Sequence, residues 1–214
     1  MYLHLRLWAV LTLLMTHLAV VTNLGAIPAG VAGSPRELVE RTTEDLRTAI
    51  IREQEAIKKD PDRAIHLVDR IVSPHVDTIR VSKWILGKHW RRATPEQRQQ
   101  FIDAYRKLLL RIYAARVGDY TDVEVTYLPV RNNNDKGTLV TVRTEVSQQG
   151  KPPTRIDYRL HQKEGTWKVY DVIAEGISIV ATFRAAVDAE VRNYGIDGLI
   201  ARLNAKNAQP LSSK

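Results

Sequence analysis

The hydrophobic pattern of the chain changes its period once, near Asp122, and this change fixes the class of fold. Before that point, apolar residues recur at helical spacing. After it, four runs between residues 123 and 173 alternate apolar with polar residues, and turn-rich segments separate the runs. The pattern predicts an α+β fold: a curved, four-stranded antiparallel sheet with one apolar and one wet face, and with helices packed on the apolar face.

Proline follows a capping residue at three predicted helix starts, Ser34-Pro35, Asp60-Pro61 and Thr94-Pro95. The helical spacing predicts helices over residues 35–59, 61–73, 75–86, 95–120, 178–194 and 197–206. The helix at 95–120 is apolar around most of its circumference. Other parts of the protein must therefore cover it on more than one side. The usual explanation is a central position in the core, and the alternative is a cavity that holds something apolar.

The first 32 residues have the pattern of an export signal. Residues 1–24 carry one formal charge, Arg6, and an apolar run at 7–21 is followed by small residues at 26–33. The run is shorter than the ~20 apolar residues that a membrane-spanning helix needs. We expect a signal peptide at 1–32, either cleaved or kept as an anchor, one domain at 33–207 and a flexible tail at 208–214.

The positive charge of the chain is concentrated in one segment. The net charge is +8, and the segment from Arg80 to Arg116 contains ten basic and two acidic residues, so it accounts for the whole excess. Such a segment suits an acidic partner or lipid headgroups, although a solvated helix face is the more common cause. Export argues against nucleic acid. The candidate docking residues are Arg91, Arg92, Arg98 and Arg106.

Motifs for catalysis or metal binding are absent from the sequence. The chain has no cysteine, and its histidines after residue 32 form no ligand cluster or HExxH motif. The alternation from Trp167 and Val169 places Asp171 on the inward face of its strand, where an acid can act as a base but more often pairs with an arginine. A small enzyme that uses Asp171 as its base, and an interaction module without a ligand, remain as alternatives.

Four segments together resemble one family. They are residues 86–90 (LGKHW), 94–101 (TPEQRQQF), 167–172 (WKVYDV) and 195–199 (GIDGL). In this order they resemble the MlaC family, which comprises exported phospholipid-binding proteins that are also called toluene-tolerance auxiliary proteins. The similarity covers essentially all of the chain after the signal.

The resemblance implies a periplasmic carrier rather than an enzyme. It implies a shuttle that passes glycerophospholipids between an outer-membrane lipoprotein–porin complex and an inner-membrane ABC transporter with MCE-type proteins, and so maintains outer-membrane lipid asymmetry. The cargo would be a phospholipid, with no other cofactor and no metal. The sheet would be NTF2-like or cystatin-like, with the acyl chains between the sheet and its helices and the headgroup largely exposed.

This interpretation leads to a set of residues that we expect to line the lipid pocket, each of which also suits an ordinary core position. The set consists of Phe101, Tyr105, Leu109 and Ile112 on the helix at 95–120, and of Val140, Val142, Ile156, Tyr158, Leu160, Val169 and Ile177 on and after the strands.

Overall fold

The computed structural model describes residues 33–114 and 122–209. The predicted signal at 1–32, the segment at 115–121 and the last residues of the tail lie outside this part of the chain. The helices are α1 (Pro35–Lys59), α2 (Asp62–Val72), α3 (Thr78–Leu86), α4 (Pro95–Ala114) and α5 (Ile179–Asn207), and short 3-10 helices span Ser73–His75 and Gly87–Arg91. The strands are β1 (Val123–Tyr127), β2 (Arg131–Asn132), β3 (Leu139–Gln148), β4 (Thr154–Lys163), β5 (Thr166–Ala174) and β6 (Ile177–Ser178).

Side chains close the amino-terminal ends of α1 and α4. The Ser34 hydroxyl accepts from the Glu37 amide at 3.2 Å, and the Glu37 carboxylate accepts from the Ser34 amide at 2.8 Å. Thr94 and Gln97 exchange the same two bonds at the start of α4, at 3.0 and 3.1 Å. Both predicted capping boxes are therefore confirmed, and each satisfies two amides that the helix itself leaves without partners.

Two helix boundaries differ from the prediction. The third helix begins at Thr78 rather than near residue 75, because Asp77 is its cap and accepts from the Arg80 amide at 2.9 Å. The two predicted carboxyl-terminal helices form the single segment α5, which bends at Gly195, where φ is 70°. That backbone conformation favours glycine, so the bend falls where the sequence provides it.

The sheet is antiparallel, as predicted, but it has six strands rather than four. The order is β1-β3-β4-β5-β6, and β2 also pairs with β3. The two additional strands contain two residues each, which is too short for an alternating pattern to appear in the sequence. The prediction of an α+β fold is confirmed.

The sheet is covered on both faces, whereas the pattern predicted one wet face. Val140 pairs with Leu160 and Val142 with Tyr158, and this face packs against Val39 of α1. The opposite face carries Tyr170, which packs with buried residues of α3, α4 and α5. The second layer went unpredicted because its sheet positions are largely polar or fall at a bulge.

An irregularity in β5 explains the main error in the predicted faces. The pairing with β4 shifts between Arg159 and Leu160, so that Leu160 pairs with Val169 while Arg159 pairs with Asp171. Tyr170 is the extra residue, and such a bulge reverses the faces of the residues beyond it. Asp171 therefore lies on the opposite face from Val169, not on the same face as predicted.

The LGKHW segment forms the end of α3 and most of the second 3-10 helix, and it contacts α5. His89 is buried, and its Nε2 lies 2.7 Å from an Asp188 carboxylate oxygen, which Lys88 also contacts at 3.0 Å. Gly87 has a φ of 56°, and a Cβ there would lie 3.0 Å from Nε of Arg184. The segment is thus tied to α5 by an ion cluster and by a close approach that favours glycine.

Acid should remove the stabilisation that Asp188 provides. Hydrogen bonds from Lys88 and His89 hold the pKa of Asp188 at about 2, below its ordinary value of 3.8. The unfolded chain therefore binds more protons than the folded chain in this range, and the contribution, complete above about pH 4, is lost as the pH falls to about 2. Between pH 5 and pH 2, the unfolding temperature should fall less in Asp188→Asn and in Lys88→Gln than in the wild type. Equal slopes in all three proteins would contradict the assignment.

Candidate functional site

An apolar groove of about 520 Å³ runs between α4 and α5. The bend at Gly195 divides α5 into two arms, and both arms contribute side chains to the groove. Apolar side chains in it come from α4 (Tyr105, Leu108), from the first arm (Phe183, Ala186, Val187) and from the second arm (Leu199, Leu203, Ala205). This volume lies in the range of about 300–1,000 Å³ that is typical of pockets for small ligands.

Polar side chains lie along the rim of the groove. Arg202 on the second arm pairs with Glu190 on the first arm at 2.6 Å, and its guanidinium lies over the Tyr194 ring at 4.6 Å. The guanidinium of Arg111 on α4 donates to the carbonyl oxygen of Gln209. These contacts tie the two arms to each other, and α4 to the residues that directly follow α5, beside an apolar interior.

The residues of α4 that were expected to line a lipid pocket pack on the groove side of the molecule. Phe101 and Tyr105 are 0% and 1% exposed, and their rings stack with centroids 5.4 Å apart. Tyr105 also meets Phe183 edge to face. Leu109 and Ile112 are partly buried against the same cluster. Of the four, Tyr105 is the one that lines the groove.

Most of the predicted strand residues lie elsewhere. Val140, Val142 and Leu160 are buried against α1, with Tyr158 and Val169 partly buried around them. Two further residues lie apart from this cluster: Ile156 is half-buried, and Ile177 on β6 is 65% exposed. The structure thus does not bring the strand residues and the α4 residues into one pocket, since the strand cluster lies on the sheet face that α1 covers.

Sequence reasoning missed the contribution of α5. Its groove residues Phe183 and Val187 are four residues apart, as are Leu199 and Leu203, which is the spacing of one helix face. That spacing was available in the sequence. The bend that turns both faces toward α4 was not, because a glycine alone does not specify the direction of a bend.

Asp171 is built into the structure as a hydrogen-bond acceptor. It is 3% exposed and accepts from the Ser178 hydroxyl at 2.8 Å, from the Val180 amide at 3.2 Å and from Arg159 at 3.3 Å. These bonds hold β5 against the start of α5. Within residues 33–114 and 122–209, no three side chains of the metal-binding types come together as a site.

The four candidate docking arginines differ in their surroundings. Arg91 and Arg92 are exposed at the end of the second 3-10 helix. Arg98 donates to the Trp90 carbonyl oxygen at 2.9 Å, and Arg106 pairs with Asp69 of α2. The first two present their charge to solvent, whereas the other two also hold neighbouring segments together.

A sheet covered on both faces and an apolar groove between two helices define the chain as an α+β protein with space for an apolar ligand. In the described residues, no helix is both long and apolar enough to span a bilayer. The chain belongs to the MlaC family: the model of that family, described as MlaC protein, matches residues 40–205. The resemblance drawn from the four sequence segments is thereby confirmed.

Individual relatives agree with this assignment. The toluene tolerance protein ttg2D of Pseudomonas putida is 32% identical over 164 residues, which cover 76% of this chain and 75% of that protein. The intermembrane phospholipid transport system binding protein MlaC of Haemophilus influenzae is 25% identical over 181 residues, 83% of this chain and 84% of its own. A phospholipid-binding protein from Ralstonia solanacearum, solved in complex with a phospholipid, superposes with a TM-score of 0.75 at 30% identity and covers 83% of this chain and 98% of its own.

Proposed function

We propose that this protein binds a glycerophospholipid and carries it across the periplasm. An acyl chain of the lipid would lie in the groove between α4 and α5. The observation that carries the proposal is an apolar groove of ligand size in a chain whose structural relative was solved with a phospholipid. The shuttle would run between an outer-membrane lipoprotein–porin complex and an inner-membrane ABC transporter with MCE-type proteins, and would maintain outer-membrane lipid asymmetry. Residues 1–32 would direct its export.

The energetics of acyl chains explain why such a carrier works without an active site. Two long chains contain about 30 methylenes at about 0.8 kcal/mol each, so their removal from water is worth about 20 kcal/mol. Release into water is therefore negligible. Transfer from the protein to a bilayer exchanges one apolar environment for another, so delivery requires docking to a membrane complex rather than bond chemistry.

The basic segment suits that docking step. Arg91 and Arg92 present charge to solvent, and a positive surface speeds encounters with acidic partners and guides their orientation. Arg98 and Arg106 contribute to the same field while they also hold Trp90 and Asp69.

The proposal is tested by native mass spectrometry of the protein purified from its own compartment without detergent. The expected spectrum contains the protein mass plus the mass of a phospholipid, and extraction followed by lipid analysis should identify that lipid. Protein that arrives bare, and that takes up no lipid from phospholipid vesicles, would contradict the proposal.

The Glu190–Arg202 pair should slow the exchange of lipid. It connects the two arms of α5 at the rim of the groove, and both side chains are partly exposed, so its loss is worth less than about 1 kcal/mol. Glu190→Gln should therefore raise the rate of lipid transfer to acceptor vesicles about threefold, without a large change in stability. Glu55→Gln, which breaks an exposed pair with Lys58 on α1, is the matched control. Equal rates in the two variants would exclude the pair as a restraint on exchange.

A further inference from the structure

The sheet face opposite α1 carries a second, polar cavity of about 330 Å³, which the proposed function does not use. Four arginines from three neighbouring strands line it: Arg131, Arg143, Arg155 and Arg159. In the register of β3 and β4, Arg143 lies opposite Asp157 and Thr141 lies opposite Arg159. Because residues at paired positions share a face of the sheet, these side chains project to the same side.

The positive charge at this cavity is concentrated at one end. Asp157 bonds Arg155 through both of its oxygens, at 3.1 and 3.2 Å, and Asp171 behind the cavity bonds Arg159 at 3.3 Å. With Glu145 and Glu175, the four arginines are matched by four carboxylates, but these carboxylates are not evenly distributed. Glu145 and Glu175 interact electrostatically with Arg155 at one margin of the cavity. The positive charge that carboxylates balance less well therefore lies at the other end, with Arg131 and Arg143.

Arg143 supplies the observation that indicates a ligand. Its Nε is buried and has no hydrogen-bond partner within the described part of the chain. A buried donor of a charged group is costly when it remains without an acceptor. Arg143 lines the cavity, so an acceptor bound there would relieve this cost by drawing the guanidinium toward the cavity.

We propose that this cavity binds the phosphate group of a phosphate monoester. Such a group carries a charge of about −1.5 to −2 at neutral pH and three acceptor oxygens, which matches the positive charge at that end and the need for an acceptor at Arg143. Guanidinium groups bind phosphate through paired N–H donors, which lysine does not reproduce. Asn133 and Tyr170 also line the cavity.

The size of the cavity limits the ligand to a lipid headgroup or a small molecule. At about 330 Å³ and with mainly polar side chains around it, the cavity suits the phosphate end of a ligand and not acyl chains. The phosphate can come from a soluble monoester or from the headgroup of phosphatidic acid at a membrane surface. The site is separate from the groove between α4 and α5, so it does not depend on the proposed function.

The test measures the binding of inorganic phosphate by calorimetry and by the rise in the unfolding temperature, at constant ionic strength. Arg143→Gln should weaken phosphate binding at least about tenfold, as expected from losing a charge-assisted pair of bonds. Arg131→Gln, an exposed position whose replacement leaves the interior intact, should weaken it severalfold. Arg70→Gln removes one charge on α2, away from the cavity, and should bind phosphate like the wild type.

A second arm identifies the source of the phosphate and separates the two proposals. The protein is sedimented with phosphatidylcholine vesicles that contain phosphatidic acid. If the wild type sediments with them and Arg131→Gln and Arg143→Gln do not, the site binds a lipid headgroup. Phosphate binding without vesicle binding assigns it to a soluble monoester. Absence of phosphate binding, equal binding in all four proteins, or binding of an acidic peptide in place of phosphate overturns the inference. Phospholipid mass in native spectra of Arg143→Gln should stay unchanged in every case.

Discussion

The Ala186→Trp variant should lose most of its bound phospholipid and still fold normally. Ala186 lines the groove from the first arm of α5, and its side chain is exposed, so an indole there enters the groove without displacing buried residues. An acyl chain then has to compete with a covalently attached side chain for the same volume. We expect at least an about tenfold fall in lipid occupancy, equivalent to about 1.4 kcal/mol of binding free energy, measured as phosphorus per protein and by native mass spectrometry.

Matched substitutions separate this effect from a general effect of tryptophan. Ala185 is the neighbouring exposed alanine on the same arm and does not line the groove, so Ala185→Trp should retain lipid. Ala205→Trp and Ala201→Trp form the same pair on the second arm. Wild-type occupancy in both groove variants would place the acyl chains outside this groove. Loss in all four variants would indicate a disturbed helix rather than a filled site.

The helical half of the fold could be predicted because its signals are local. Ser34 and Thr94 cap helices through residues three positions away, so the sequence pattern contains both partners of each capping box. Asp77 was missed as a cap because it lies inside the span of 75–86 predicted for the third helix. Such errors shift a boundary by a few residues and leave the order of elements unchanged.

The faces of the sheet were harder to predict, because a single extra residue reverses them. Alternation across β5 assigns Asp171 to the face of Val169, and the bulge at Tyr170 moves it to the other face. Nothing in the composition of the strand marks this shift. The consequence extends to the site: the bulge brings Tyr170 to the face where α3 and α5 pack, which the alternating pattern had predicted to be wet.

The candidate site was predicted in part. The all-round apolar character of α4 correctly indicated cover on more than one side, and Phe101 and Tyr105 are buried against both α3 and α5. Periodicity shows which residues share a face, but not which element covers that face. For this reason the strand residues around Val142 were grouped with α4, although they pack against α1.

Replacement of Asp171 by asparagine should lower stability and leave lipid transfer by the folded protein unchanged. Its carboxylate accepts from Ser178, Val180 and Arg159, and an amide in its place can accept through one oxygen only. Hydrogen bonds to a charged group are worth about 1.5–3 kcal/mol, and Arg159 is partly exposed and can return to solvent, so we expect a loss of about 2 kcal/mol in the free energy of unfolding. Urea unfolding at neutral pH measures it.

Three further variants test where this loss of stability comes from. Ser178→Ala removes one of the three donors to Asp171 and also the cap of α5, which accepts from the Ala181 amide at 3.1 Å, so it should cost about 2 kcal/mol. The double variant should cost less than the sum, because both changes remove the same bond. Asp157→Asn, whose partner Arg155 is exposed, should cost less than about 1 kcal/mol. If Asp171→Asn instead unfolds like the wild type while a chemical turnover of a bound substrate disappears, Asp171 acts as a base, and the chain is an enzyme on this sheet. A stability loss with intact lipid transfer assigns Asp171 to the joint between β5 and α5, where its three hydrogen bonds lie.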